Sequence, residues 1–145
     1  MVVEKRIRGD VFGTPCRYIA FAVNSEGYND AGFAGQVALR YWPELENTGH
    51  QTLGTVLRKE VNHPDGKGKK LTFLAFVCHS LAENGWAKTP EIVKKCLDEQ
   101  DVPKGEKMAI VLMGAGVVGR IQGANVDAIV DAMDQSNKEL IVYSL

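Results

Sequence analysis

The segment Val111 to Arg120 reads VLMGAGVVGR, an apolar run followed by Gly114, Gly116 and Gly119 in the order G-x-G-x-x-G. Glycines at this spacing let backbone N–H groups turn into a concavity free of Cβ atoms, and such a concavity accepts a phosphate. In a dinucleotide-binding Rossmann domain the turn follows the first strand, and later βαβ units complete the crevice. Gly119 leaves only 26 of the 145 residues after it, enough for one helix and one strand. A full Rossmann site is therefore excluded. Two readings of the loop remain. One is a local anion cradle, assisted by the N-terminal field of a helix beginning near Gly123. The other is a tight strand-to-helix turn that holds nothing.

Two further side chains have types and positions suited to catalysis. His79 ends the run LTFLAFVCH, so it emerges at the carboxyl end of a strand, where α/β crevices lie. An imidazole there can act as general acid or base near neutral pH, the alternative being a half-exposed loop histidine. Asp30, in YND, offers a carboxylate that could activate water, or it is simply a turn acid. Trp86 either covers the pocket or packs beside it. His50 and His63 fall in polar loops and invite no functional reading. Cys16, Cys78 and Cys96 are odd in number, far apart and without C-x-x-C spacing, which implies reduced thiols in a cytoplasmic setting. No metal site is expected, because the histidines show no ligand spacing with the cysteines or with each other, and no cofactor is expected.

These residues need elements to position them. The runs YIAFAVN (18–24), LTFLAFV (71–77) and MAIVLM (108–113) suit strands buried on both faces. VEKRIRG near the start, TLGTVLRKEV and the terminal ELIVYSL read as further strands. HPDGKGKK, with its D-G signal between two strand-like runs, reads as a hairpin tip. Ala34, Val37, Ala38 and Tyr41 recur at helical spacing, as do Val126, Ile129, Val130 and Met133. Ile92, Val93, Cys96 and Leu97 mark another helix, with Thr89 placed to cap it and Pro90 in its first turn. The result is one α/β layer domain over residues 1–145 with a mostly buried sheet. A net charge of −1 argues against a nucleic-acid protein whose affinity comes from neutralising phosphates. No stretch resembles a signal peptide or approaches the length of a membrane helix.

Three stretches then combine: RGDVF (8–12), NSEGYNDAGFAGQVALRYWPEL (24–45) and GAGVVGRIQGANV (114–126), with the chain closing on IVYSL. Their order resembles the macro domain, an ADP-ribose-binding family. The resemblance is to its small branch of ADP-ribose-1″-phosphate phosphatases and terminal ADP-ribose protein hydrolases, and it covers nearly the whole chain in element order. It implies a three-layer α/β/α fold with a mixed central sheet of about six strands. It also implies a monomer that binds ADP-ribose or a related nucleotide diphosphate. Asp10 then matches the acid on the adenine amino group, with Val11 supplying neighbouring backbone. Asn24 matches an asparagine beside the distal ribose. The residues Asp30, Ala31, Gly32, Phe33 and Ala34 match the first phosphate loop, and Gly114, Ala115, Gly116, Val117, Val118 and Gly119 the second. Tyr143 matches a position near the adenine, or is plain core.

The family's catalytic groups are replaced. Phe21 stands where the phosphatases carry a histidine, Cys78-His79-Ser80 where the hydrolases carry a lysine, and Val117-Val118-Gly119 where they carry an aspartate. Two functions follow from the resemblance. One is a hydrolase of ADP-ribose-1″-phosphate or ADP-ribosyl esters, with Asp30 or His79 activating water. The other is a non-catalytic reader or sequestering protein for such nucleotides.

Overall fold

A computed structural model describes residues 1–145. It contains strands β1 (Val2–Ile7), β2 (Tyr18–Asn24), β3 (Val56–Asn62), β4 (Lys70–His79), β5 (Lys107–Val111) and β6 (Glu139–Ser144). The helices are α1 (Gly32–Arg40), α2 (Thr89–Asp98), α3 (Val117–Ile121) and α4 (Val126–Gln135). The strands form one sheet in the order β1-β6-β5-β2-β4-β3, parallel except for β3, which runs antiparallel to β4.

The apolar runs explain this placement. β2, β4 and β5 are nearly continuous in apolar residues, and both faces of each are covered. On one face Phe33, Ala34, Val37 and Ala38 of α1 pack over Phe21, Phe73 and Val77. On the other, Val93, Cys96 and Leu97 of α2 and Ile129 and Met133 of α4 cover Leu74, Phe76 and Ile110. β1 and β3 lie at the edges and alternate or expose their side chains, as edge strands with one neighbour must. Neighbour pairing is uneven: β2 pairs with β4 at seven positions but with β5 at only two, Ile19 with Ala109 and Ala20 with Ile110.

Some local expectations need correcting. Thr89 does not cap α2. Lys88 holds the N-cap position without a side-chain bond, while the buried Thr89 hydroxyl donates to the Cys78 carbonyl at 2.6 Å. A hydroxyl facing the end of β4 finds an orphan carbonyl there, which satisfies both groups. No helix begins at Gly123. The glycine loop runs straight into the short α3, and α4 starts at Val126, capped by Asn125 through an Ala128 N–H bond of 3.1 Å. His63 is buried although its loop is polar. Its Nε2 lies 2.9 Å from the Cys16 carbonyl and its Nδ1 accepts from the Asp65 N–H, tying the hairpin tip to the segment before β2.

All three cysteines are unpaired and buried. Burial pushes the Cys96 thiol up to about 11 and that of Cys78 further still, so neither is a thiolate nucleophile. No helix is long and apolar enough to cross a membrane, and no three His, Cys, Asp or Glu side chains cluster to hold a metal ion.

Candidate functional site

Five parallel strands end on one edge, and the candidate residues lie along it. From one side to the other come Asp10 after β1, Tyr143 in β6, Gly114–Gly119 after β5, Asp30–Ala34 after β2 and His79 ending β4. Adjacent strands are about 4.8 Å apart, so the four steps from β1 to β4 span about 19 Å. Between β2 and β5 the chain reverses its direction of strand addition. The segment after β2 leads to α1 on one face, and the segment after β5 leads to α3 and α4 on the other. Open α/β sheets bind ligands at such a switch point, outside the carboxyl ends.

The three glycines of G-x-G-x-x-G have different duties. Gly114 has φ +82°, and a Cβ there would meet the Ala124 Cβ at 2.8 Å. A Cβ on Gly119 would lie 2.3 Å from the Gly114 carbonyl oxygen. Those two glycines allow the loop to close on itself. Gly116 has an ordinary φ of −76° and faces open space, with nothing within 4 Å of a Cβ. Gly32, in the first loop, also faces open space, at φ +61°.

Both loops feed helices whose N-termini are left bare. α1 has Ala31 and α3 has Gly116 as N-cap, neither with a side-chain bond, and neither helix has an acid in its first turn. α2 carries Glu91 there, and α4 carries Asp127 together with its Asn125 cap. Unpaired N–H groups favour an anion, and at α1 the exposed Asp30 stands one residue before the N-cap and competes for them, whereas α3 has no carboxylate beside its own. Val117, 71% exposed, and Val118 stand as an apolar lip on the second loop, joined by exposed Ile121.

The flanking side chains match their expected roles unevenly. Asp10 is exposed, and one of its oxygens accepts the Phe12 N–H at 3.0 Å, capping a 3₁₀ turn (Val11–Gly13) and leaving the other oxygen open. Val11 is buried, so it can present only backbone. Phe33 stacks on Phe12 at 5.1 Å in the core and likewise offers only backbone, and Ala34 is also buried. Asp30 is exposed, with Ala31 and Gly32, at the entrance to α1. Tyr143 is 1% exposed, and its ring packs against Gly9 and beneath Arg6.

Asn24 is not free to greet a ribose. Its carbonyl accepts the Gly27 and Tyr28 N–H groups at 2.9 and 3.2 Å, and its amide donates to the Tyr28 carbonyl at 2.7 Å. The chain must turn sharply after β2, and the asparagine supplies the acceptors that turn requires.

His79 is not a loop histidine. It is 7% exposed, stacked on Trp86 at 3.8 Å with 11° between the rings. Burial lowers its pKa to about 4, so it is neutral at physiological pH and a weak base. The only buried side-chain N or O atoms without a hydrogen-bond partner in the molecule are His79 Nδ1 and the Tyr143 hydroxyl. They stand towards the two ends of this one edge.

Three residues of the site escaped sequence reasoning. Gln122 accepts from Trp86 Nε1 and donates to the Leu81 carbonyl, both at 2.9 Å, and Glu26 accepts the Leu81 N–H at 3.0 Å. No period or motif marks them. Two of the molecule's concavities are the most developed. A cleft of about 590 Å³ beside β3 is lined in part by Trp42, Gln51 and Arg58. One of about 350 Å³ behind the second loop is lined in part by Asn84, Trp86 and Asn125. Neither is lined by Gly32 or Gly116.

No protein-family model matches the sequence, nor does any curated protein. Solved structures do match in fold. Thermosipho africanus DarTG in complex with ADP-ribose superposes with a TM-score of 0.70 at 15% identity, covering 99% of this chain. This chain spans only 42% of that one. The macrodomain of Thermus aquaticus DarG gives 0.53 at 16% identity over 97% of both chains. A glycine-to-valine mutant of the Oceanobacillus iheyensis macrodomain with ADPR gives 0.63 at 15% identity, covering 96% of this chain and 82% of that one. The fold is that of a macrodomain, a three-layer α/β/α arrangement on a mixed six-stranded sheet.

Proposed function

We propose that this protein binds ADP-ribose, or a close nucleotide diphosphate relative, across the carboxyl edge of its sheet. The observation that carries the reading is the pair of open glycine turns on neighbouring strands at the switch point, each opening a helix with a bare N-terminus. Such turns can hold a diphosphate through backbone N–H groups without lysine or arginine, in keeping with a net charge of −1. Asp10 keeps one carboxylate oxygen for the adenine amino group, and the Val117–Val118 lip covers the distal ribose. Among the structural neighbours, the Thermosipho africanus and Oceanobacillus iheyensis proteins are described with ADP-ribose. Unpaired cysteines fit a reducing compartment such as the cytoplasm.

The site favours a binder over an enzyme, because His79 is buried and neutral and the sequence lacks the family's catalytic groups. A hydrolase reading rests on Asp30 alone, an exposed carboxylate beside the N-cap of α1 that could activate water at the distal ribose. Calorimetric titration with ADP-ribose, AMP and NAD tests binding, with ADP-ribose expected to bind tightest. Absence of heat and of thermal stabilisation with all three would overturn it. Release of phosphate from ADP-ribose-1″-phosphate, lost in Asp30→Ala while binding persists, would establish the hydrolase instead.

A further inference from the structure

Leu81 is the first residue of interest beyond the ligand path. It sits in a compact loop after β4, closed by Ser80 N–H to Gly85 carbonyl and Gly85 N–H to Ala82 carbonyl bonds, each 3.0 Å. A Cβ on Gly85 would fall 2.0 Å from the Ser80 carbonyl oxygen, so the loop has one tight shape. Trp86 ends it, stacked on His79 and bonded to Gln122. The Leu81 peptide then reaches in two directions. Its N–H donates to Glu26, in the segment from β2 to α1, and its carbonyl accepts from Gln122, immediately after α3.

One peptide group is thus bonded to the segments that carry both glycine turns. Glu26 precedes the first glycine turn by a few residues, and the Ser25 hydroxyl holds the same Glu26 oxygen at 3.3 Å. Gln122 follows the second turn, and its own N–H is fixed to the Val118 carbonyl at 2.9 Å. We propose that the Leu81 peptide is a crossbar that sets the separation of the two glycine turns, with Glu26 and Gln122 as positioning residues for a ligand bridging both. The inference rests on the binding reading above for its ligand, although the crossbar itself exists without one.

Chemistry separates this role from others. A glutamine at position 26 keeps an oxygen that accepts the Leu81 N–H, so charge is dispensable and the acceptor is not. At position 122 the donor matters: a glutamate can still accept from Trp86 but sets an oxygen against the Leu81 carbonyl. A ligand that spans the cleft feels the spacing of the turns. AMP, with one phosphate, does not bridge them.

The test compares Glu26→Ala, Glu26→Gln, Gln122→Met and Gln122→Glu by calorimetry with ADP-ribose and AMP. Amide hydrogen exchange is followed in parallel without ligand. Glu26→Ala and Gln122→Glu are each expected to lose about tenfold in ADP-ribose affinity, the scale of one hydrogen bond, and Gln122→Met, which also loses the Trp86 bond, at least as much, with AMP affinity within about twofold of wild type. Glu26→Gln should bind as wild type. Glu26→Ala combined with Gln122→Met should be no worse than Gln122→Met alone, because one broken arm already opens the bar. In the ligand-free protein, Glu26→Ala should speed exchange at Gly114–Gly119, across the cleft from the substitution.

Equal losses for AMP and ADP-ribose, or Glu26→Gln behaving as Glu26→Ala, would overturn the crossbar. So would unchanged exchange at the second turn. If wild type binds no ADP-ribose the functional reading fails, and the exchange measurement still decides this one.

Discussion

Gly116→Glu isolates the part of the glycine loop that faces the ligand. Its φ of −76° suits any residue, and a Cβ there meets nothing within 4 Å, so the fold has no steric reason to object. The residue is the N-cap of α3, where losing glycine destabilises by about 1 kcal/mol at most, and a carboxylate near a helix N-terminus offsets part of that. For a chain of 145 residues this means a fall of about 2–4 °C in Tm. Binding should respond differently. A carboxylate about 6 Å from one phosphate charge, at an effective dielectric of about 20, opposes binding by about 3 kcal/mol. That corresponds to roughly a hundredfold loss of affinity, before any steric exclusion and at low salt. Gly116→Gln, equal in bulk and uncharged, separates the two effects and should bind between wild type and the glutamate variant. Differential scanning fluorimetry and calorimetry on the three proteins give both quantities. A folded Gly116→Glu protein that binds ADP-ribose like wild type would refute the placement of the diphosphate.

Asp10→Ala should lower ADP-ribose affinity about tenfold and leave ribose-5-phosphate unaffected, with about 1 kcal/mol of stability lost from the 3₁₀ turn it caps. Asp10→Asn retains the capping oxygen, so it should restore stability, and equal losses for both ligands would point to a purely structural Asp10. Gly119→Ala should destabilise by about 1–3 kcal/mol in urea denaturation, because its Cβ would be driven into the Gly114 carbonyl, and wild-type stability would contradict the packing. His79 has a folded pKa of about 4 against an ordinary 6.5, so the unfolded chain takes up the proton first as pH falls. Stability from its neutral form is complete above about pH 6.5 and drains away down to about pH 4. From pH 7 to pH 5 wild type should lose about 2 kcal/mol more than His79→Gln, and parallel losses in the two proteins would remove the argument.

Much of the scaffold can be read directly from the chain. YIAFAVN coincides with β2, and LTFLAFV and MAIVLM fall within a residue or two of β4 and β5, because strands covered on both faces must be apolar throughout. The hairpin from β3 to β4 follows from Asp65-Gly66. The two glycine turns are visible because backbone geometry restricts residue type there. What stays hidden depends on partners distant in sequence. Asn24 looks available until the turn it closes is seen, and His79 looks exposed until Trp86 is laid on it. Glu26, Leu81 and Gln122 meet across 55 and 41 positions, and polar surface residues carry no period that could announce such meetings.

The uneven pairing of β2 has a mechanical consequence. With seven paired positions towards β4 and two towards β5, the sheet consists of two firm panels joined along a narrow seam. The proposed diphosphate path crosses that seam at its mouth, and the Leu81 crossbar spans it from the β4 side. A ligand gripped by both turns would act as a rivet between the panels. Its binding energy would then stiffen the line where the sheet is most thinly stitched, and protection gained on binding should concentrate in β5 and the start of α3.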